Sequence, residues 1–221
     1  MRNFSAQKSA AVFLIAVSIC LLSSYILHSQ ITFQRTFQAA GMNGGLSLSL
    51  TTDGGYVVTG QHQSSGAGDC DVYVYQRDAC GNTVFFNTYG YVGQDGGKCV
   101  AQTADGGFIV TGLIRNTPSI LLMKLDAAGN YQWHQAYGTN SDDWGMYVQQ
   151  TTDGGYIVTG RTINPSSDIF LLKTDAVGTT QWSQVFVAPG EEFSHYVEQT
   201  TDGGFFIAGY SQGSVNVDAD A

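Results

Sequence analysis

Apolar and polar residues alternate in short bursts along most of this chain, and turn signals of two kinds separate the bursts. The first is Asp-Gly-Gly, set in a decapeptide that returns four times: residues 51–60 read TTDGGYVVTG, 103–112 TADGGFIVTG, 151–160 TTDGGYIVTG and 200–209 TTDGGFFIAG. The second is Asp-Ala-x-Gly, which ends the apolar stretches 71–81 (DVYVYQRDACG), 119–129 (SILLMKLDAAG) and 168–178 (DIFLLKTDAVG). Runs of this length, rich in branched and aromatic residues and bounded by Gly-containing turns, predict β-strands joined as hairpins. Segments 82–89, 130–137 and 179–186 follow. They place Phe85, Trp133 and Trp182 at one register position and Tyr89, Tyr137 and Phe186 four residues later, on the same strand face.

Each repeat therefore carries four predicted strands. Strand A leads into Asp-Gly-Gly, B leaves it, C ends in Asp-Ala-x-Gly, and D carries the Trp or Phe. The decapeptides begin at residues 51, 103, 151 and 200, in steps of 52, 48 and 49. A unit this small cannot bury its own apolar faces and must stack on copies of itself, and four antiparallel strands per roughly 49 residues is the signature of a β-propeller blade. The expected fold is all-β: a propeller of four-stranded antiparallel blades, about four repeats, the last one incomplete. Blade 1 is expected over 45–90, blade 2 over 97–138, blade 3 over 145–187 and a partial blade 4 over 194–221. Residues 31–38 align with a D strand, Phe33 on Trp133 and Phe37 on Tyr137, and read as a closure strand. In the last repeat strand C is reduced to a stub such as 215–219. Either four blades close with a damaged final sheet, or the ring is longer; the longer ring is preferred because four blades are the lower limit of the architecture.

Composition adds a compartment. Arg2 and Lys8 precede an apolar run over 10–22 and a small, polar exit at Ser23, Ser24 and Ser29, which reads as a signal peptide over 1–30, with an uncleaved anchor as the alternative. The full chain carries a formal charge of −9, and removal of Arg2 and Lys8 leaves about −11, a surface that repels nucleic acid and anionic membrane. With 43% hydrophobic residues, 28 glycines and 3 prolines, the remainder reads as a soluble all-β protein, not integral to a membrane after cleavage. Three cysteines remain, Cys70, Cys80 and Cys99. Cys70 and Cys80 flank a strand whose ends stand roughly 20 Å apart, too far to bridge along it. A Cys80–Cys99 pair stays open, and free or singly paired structural thiols are preferred over a redox or metal role.

The TTDGGYIVTG…DIFLLKTDAVG…QW pattern resembles the DGG-type propeller repeats of bacterial secreted and cell-surface proteins, many of them substrates of the type IX secretion system. The resemblance covers essentially 31–213. It implies a propeller at the cell surface or outside the cell, and it implies no particular activity. Relatives of this kind commonly end in a C-terminal sorting domain, and nothing of that kind is visible here.

The Asp-Gly-Gly aspartates Asp53, Asp105, Asp153 and Asp202 invite a catalytic or metal role. The structural reading is preferred, since an aspartate at the start of a hairpin accepts hydrogen bonds from the turn's own amides. Eight residues before each decapeptide, in the D-to-A connections, stand Asn43, Asp95, Asp143 and Glu192, with Asp142 and Glu191 doubling the charge in two copies. A carboxylate ring of this sort near a central channel would be able to hold Ca²⁺, which needs six to eight oxygen ligands; the alternative is a solvated acidic rim or capping of strand A. No cofactor is otherwise implied. Asp95, Asp142, Asp143, Trp144, Glu191 and Glu192 are the candidate binding residues, on the face that carries the variable D-to-A and B-to-C loops.

No two histidines lie at a metal-ligand spacing, and no nucleophile elbow, P-loop or dinucleotide fingerprint is present, so no catalytic residue is assigned. Trp133 and Trp182 are expected to pack between blades rather than to stack sugars. The expected function is a secreted or cell-surface, non-enzymatic module for binding or display of a protein or glycan ligand. One alternative is an extracellular glycan-processing enzyme using the paired acids at 142/143 and 191/192. Another is a structural subunit whose incomplete last blade accepts a strand from another chain or forms an oligomer.

Overall fold

A computed structural model describes residues 43–63, 70–90, 93–115, 119–139, 142–163 and 166–212. The expected signal peptide over 1–30, closure strand over 31–38 and strand-C stub over 215–219 lie outside the described residues. All fourteen elements among the described residues are strands: β1 (Asn43–Leu50), β2 (Tyr56–His62), β3 (Asp71–Arg77), β4 (Thr83–Tyr89), β5 (Gly96–Gln102), β6 (Phe108–Leu113), β7 (Ile120–Leu125), β8 (Tyr131–Tyr137), β9 (Trp144–Gln150), β10 (Tyr156–Ile163), β11 (Ser167–Thr174), β12 (Thr180–Phe186), β13 (Glu191–Gln199) and β14 (Phe205–Gln212). They form three four-stranded antiparallel meanders, β1 to β4, β5 to β8 and β9 to β12, and a two-stranded sheet, β13 and β14. Among the described residues no helix is long and apolar enough to cross a membrane.

The Asp-Gly-Gly turn closes each first hairpin as its sequence demands. The first glycine donates to the decapeptide's leading threonine, as in Gly154 N–H to Thr151 O at 2.9 Å. It does so at φ 82° in Gly54, 79° in Gly106, 82° in Gly154 and 88° in Gly203, a conformation that a Cβ disfavours.

Neighbouring sheets are joined through their first strands. β5 lies against β1, β2 and β3; β9 against β5, β6 and β7; β13 against β9, β10 and β11. The faces between them are the core. Ten buried side chains, among them Val74, Phe108, Leu121 and Leu125, fill the space between sheets 1 and 2, and nine, among them Ile109, Leu122 and Tyr156, fill that between sheets 2 and 3. Between sheets 3 and 4 the cluster shrinks to Ile157, Leu171 and Val197. Since each such side chain contributes about 1.5–3 kcal/mol when fully buried, the last joint is the weakest.

Two polar contacts repeat from joint to joint. The side-chain carbonyl of the glutamine ending β5, β9 and β13 accepts the N–H of the residue after the preceding sheet's leading threonine: Gln102 from Thr52 at 2.8 Å, Gln150 from Ala104 at 2.8 Å and Gln199 from Thr152 at 2.9 Å. On the outer strands, Tyr89 and Tyr137 donate their hydroxyls to the carbonyls of Gly129 and Gly178 in the next sheet's Asp-Ala-x-Gly turn.

The D-strand aromatics complete the joint. Phe85 meets Phe108 at 5.8 Å between ring centroids, Trp133 meets Tyr156 at 6.0 Å and Trp182 meets Phe205 at 5.8 Å. Phe85 and Trp133 also lie so close over Gly129 and Gly178 that a Cβ there would stand 2.6 Å and 2.9 Å from the rings. Packing between sheets is therefore the role of Trp133 and Trp182.

The described strands do not close into a ring. Leu50 of β1 is 76% exposed, and Phe206 of β14 is 74% exposed. Every residue of β12 is exposed as well; among the described residues sheet 4 offers it only β13 and β14.

Trp133 has a complete neighbouring sheet over it, whereas Trp182, at 39% exposure, has half of one. Trp133→Ala is expected to destabilise the fold by about 3 kcal/mol and Trp182→Ala by about 1 kcal/mol in chemical denaturation, because the penalty grows with the buried volume that the truncation empties. Equal penalties would contradict the joint as described.

Candidate functional site

An antiparallel meander puts the A-to-B and C-to-D turns at one end of each sheet and the B-to-C and D-to-A connections at the other. At the turn end every carboxylate is used locally. Asp53, Asp105 and Asp153 each accept the hydroxyl of the threonine two residues earlier at 2.5 Å and the N–H of the second glycine at 3.0–3.1 Å. Asp202 makes the same pair of contacts with Thr200 and Gly204. Asp78, Asp126 and Asp175 accept the N–H four residues on, at 2.7–2.8 Å.

A lysine near the end of strand C reinforces two of these turns. Lys124 and Lys173, both buried, reach Asp105 at 2.9 Å and Asp153 at 2.8 Å. Burial pushes Asp105 up, but hydrogen bonds from Thr103, Lys124 and Gly107, with the Lys124 charge, outweigh it and hold the carboxyl at about 2. Asp153 is held well below the carboxylate range, first by the hydrogen bond from Lys173 and then by those from Thr151 and Gly155.

The loop end is built differently. Asp95, Asp143 and Glu192 are buried, so they do not form a solvated rim. Asp95 accepts Arg115 N–H at 3.1 Å, and Asp143 accepts Ile163 N–H at 3.0 Å and Thr139 N–H at 2.6 Å; each ties its own sheet's B-to-C connection to the start of strand A. Glu192 accepts the Ser211 hydroxyl at 3.0 Å. Its other neighbour is the buried carboxyl of Asp168, which is pushed up by burial first and by the Glu192 charge second. The adjacent acids point apart: Asp142 and Glu191 are exposed, and Asp142 stands 4.0 Å from Arg115. Among the described residues no three His, Cys, Asp or Glu side chains gather as a metal site. Cys70, Cys80 and Cys99 are free thiols, and Cys99 is buried between sheets 2 and 3.

Of the six candidate binding residues, Trp144 borders a cleft. The reason is a β-bulge near the start of every A strand. Pairing jumps from Gly45 to Ser47, from Gly97 to Cys99, from Gly145 to Tyr147 and from Ser194 to Tyr196. Leu46, Lys98, Met146 and His195 are thus the extra residues, and a bulge re-aims its side chain out of the ladder. Met146 and His195 line a cavity of about 210 Å³ together with Trp144, Arg161, Phe193 and Ser194. Arg161 stands over the Trp144 ring at 4.1 Å and the Phe193 ring at 5.8 Å, and Lys98 lies over Trp144 at 4.8 Å. Burial, and then the charge of Arg161, pull the Lys98 ammonium below its ordinary value.

Lys98, Met146, Arg161, Phe193 and His195 do not stand out as site residues in the sequence. Their signal lies in the alignment of the repeats. The bulge position, three residues past each D-to-A acid, reads Leu, Lys, Met and His, and the position after each decapeptide reads Gln61, Leu113, Arg161 and Tyr210. Both vary in chemical type inside a framework that does not.

Removing Asp153 strands a buried lysine, while Asp202 serves only its own exposed turn. Asp153→Ala is therefore expected to cost about 2 kcal/mol in urea denaturation, and Asp202→Ala clearly less. The Asp168–Glu192 pair acts through pH. The folded chain raises Asp168 above its unfolded value near 3.9, so the pair costs no stability below about pH 4 and destabilises as pH rises through the folded value. Glu192→Gln should be more stable than the parent at pH 7, with the difference vanishing toward pH 4; a difference independent of pH would uncouple the two carboxyls.

No family model matches this chain, and no curated protein matches it either.

Proposed function

We propose that this chain is the blade-forming part of a secreted or cell-surface β-propeller that binds a ligand, without turnover, through the face where the D-to-A and B-to-C connections emerge. The observation that carries this is the contrast between the two ends of the sheets. At the turn end, Asp53, Asp105, Asp153 and Asp202 are consumed by the fold itself. At the loop end, a row of bulges presents a different side chain from each sheet, and those of sheets 3 and 4 line a cleft with aromatic walls. A rigid framework that holds variable groups on one face is the arrangement of a binding scaffold. The propeller reading is supported by three successive sheets that meet at their first strands through one repeated set of contacts, and the extracellular reading by Arg2 and Lys8 ahead of the apolar run over 10–22.

The test is a glycan and peptide array probed with the full chain, with Trp144→Ala on the loop face and with Val177→Ser on the turn face. Val177 is 63% exposed in an Asp-Ala-x-Gly turn. Binding is expected for the parent and the Val177 variant and lost in Trp144→Ala; loss in the Val177 variant alone would move the binding face to the other end.

A further inference from the structure

The cleft at the joint of sheets 3 and 4 has a chemistry that narrows its ligand. Its walls are apolar: the Trp144 and Phe193 rings and the Met146 thioether. Tyr210 stacks on Phe193 at 4.9 Å and on His195 at 5.5 Å, which fixes the orientation of that wall. Ser194 is the one hydroxyl in the lining, and it is already committed, donating to Gly160 O at 2.8 Å.

Arg161 lines this cleft, and a second cation, Lys98, lies over the Trp144 ring at 4.8 Å without lining the cleft itself. Lys124 pairs with Asp105, Lys173 with Asp153 and Arg115 with Asp142, while Arg77 donates to the Gly81 carbonyl. Among the described residues neither Arg161 nor Lys98 has an acid partner, in a chain with twice as many acidic as basic residues. Arg161 Nε is buried and has no hydrogen-bond acceptor among the described residues. Two cations that share the Trp144 ring repel each other, and the depressed Lys98 ammonium records that repulsion alongside its burial. An anion held in the cleft beside Arg161 would offset that repulsion.

The geometry points to a site for a small organic carboxylate, a single negative charge carried on a flat, ring-sized apolar body, with Arg161 taking the carboxylate and Trp144, Met146 and Phe193 enclosing the body. Size supports this. At about 210 Å³ the cavity is smaller than the roughly 300 Å³ at which pockets for drug-sized ligands begin, so it takes one ring and not an oligomer. Charge supports it as well. A guanidinium pairs with carboxylate and phosphate alike, but a phosphate dianion needs many donors when it leaves water, and this lining supplies few. The assignment rests on the loop-face binding proposed above and gives it a ligand class.

The test uses isothermal titration calorimetry on the full chain at low salt, with benzoate, its neutral isostere benzamide, and inorganic phosphate. Benzoate is expected to bind one per chain, at least about tenfold more tightly than benzamide or phosphate, as a charge-assisted contact requires. Arg161→Gln should weaken benzoate by about tenfold and leave benzamide unchanged. Lys98→Gln, which does not belong to the buried core, should weaken it by about threefold and serves as the second variant should the first fail to fold. Benzamide binding as tightly as benzoate, phosphate displacing benzoate, Arg161→Gln retaining full affinity, or no benzoate binding at millimolar concentration would each overturn the assignment. Array binding that depends on Trp144 without any carboxylate preference would overturn this ligand class while leaving the binding face in place.

Discussion

A four-stranded sheet has two apolar faces and can cover neither by itself, and every recurring feature of this chain answers to that constraint. The cover is always the next sheet. Its first strand fills the inner part of the face, its Asp-Ala-x-Gly turn slides under the outer aromatic, and its glutamine accepts one amide from the turn at the edge. The glycines Gly129 and Gly178 have no room for a side chain because Phe85 and Trp133 occupy the space. At β12, where the described residues of the next sheet form only two strands, the same residue types are exposed.

Stacking of this kind separates the duties of the two ends of each sheet. The turn end must be the same in every copy, because it makes both the hairpin and the contact with the neighbour, and its acids and lysines are spent on that. The loop end is less constrained by the neighbouring sheet. Its buried acids, Asp95 and Asp143, fasten the B-to-C connections, and the bulges beside them deliver residues free to differ. A cationic, aromatic cleft on an acidic chain is compatible with such a division, since Arg161 and Lys98 are not needed by the fold in the way that Lys124 and Lys173 are.

Much of the strand order was legible because hairpin chemistry is local. A positive φ after an aspartate needs glycine, and the recurrence of Asp-Gly-Gly and Asp-Ala-x-Gly marked every tight turn at its residue. The role of Trp133 was legible for a related reason: a side chain that keeps its register in every repeat packs against something repeated. Burial was not legible. Asp143 and Asp142 are neighbours with the same charge, yet one caps two backbone amides out of solvent and the other faces water.

The sequence by itself determined the all-β class, the four-strand repeat and the constant turn end, because these depend on contacts between residues a few positions apart or one repeat apart. Only the tertiary structure decided which side chains share a cleft. An inserted residue at the bulge shifts pairing by one, and a one-residue shift in a strand reverses the side on which a side chain emerges, so Met146 and His195 join Arg161 and Trp144 through a displacement that no count along the chain reveals.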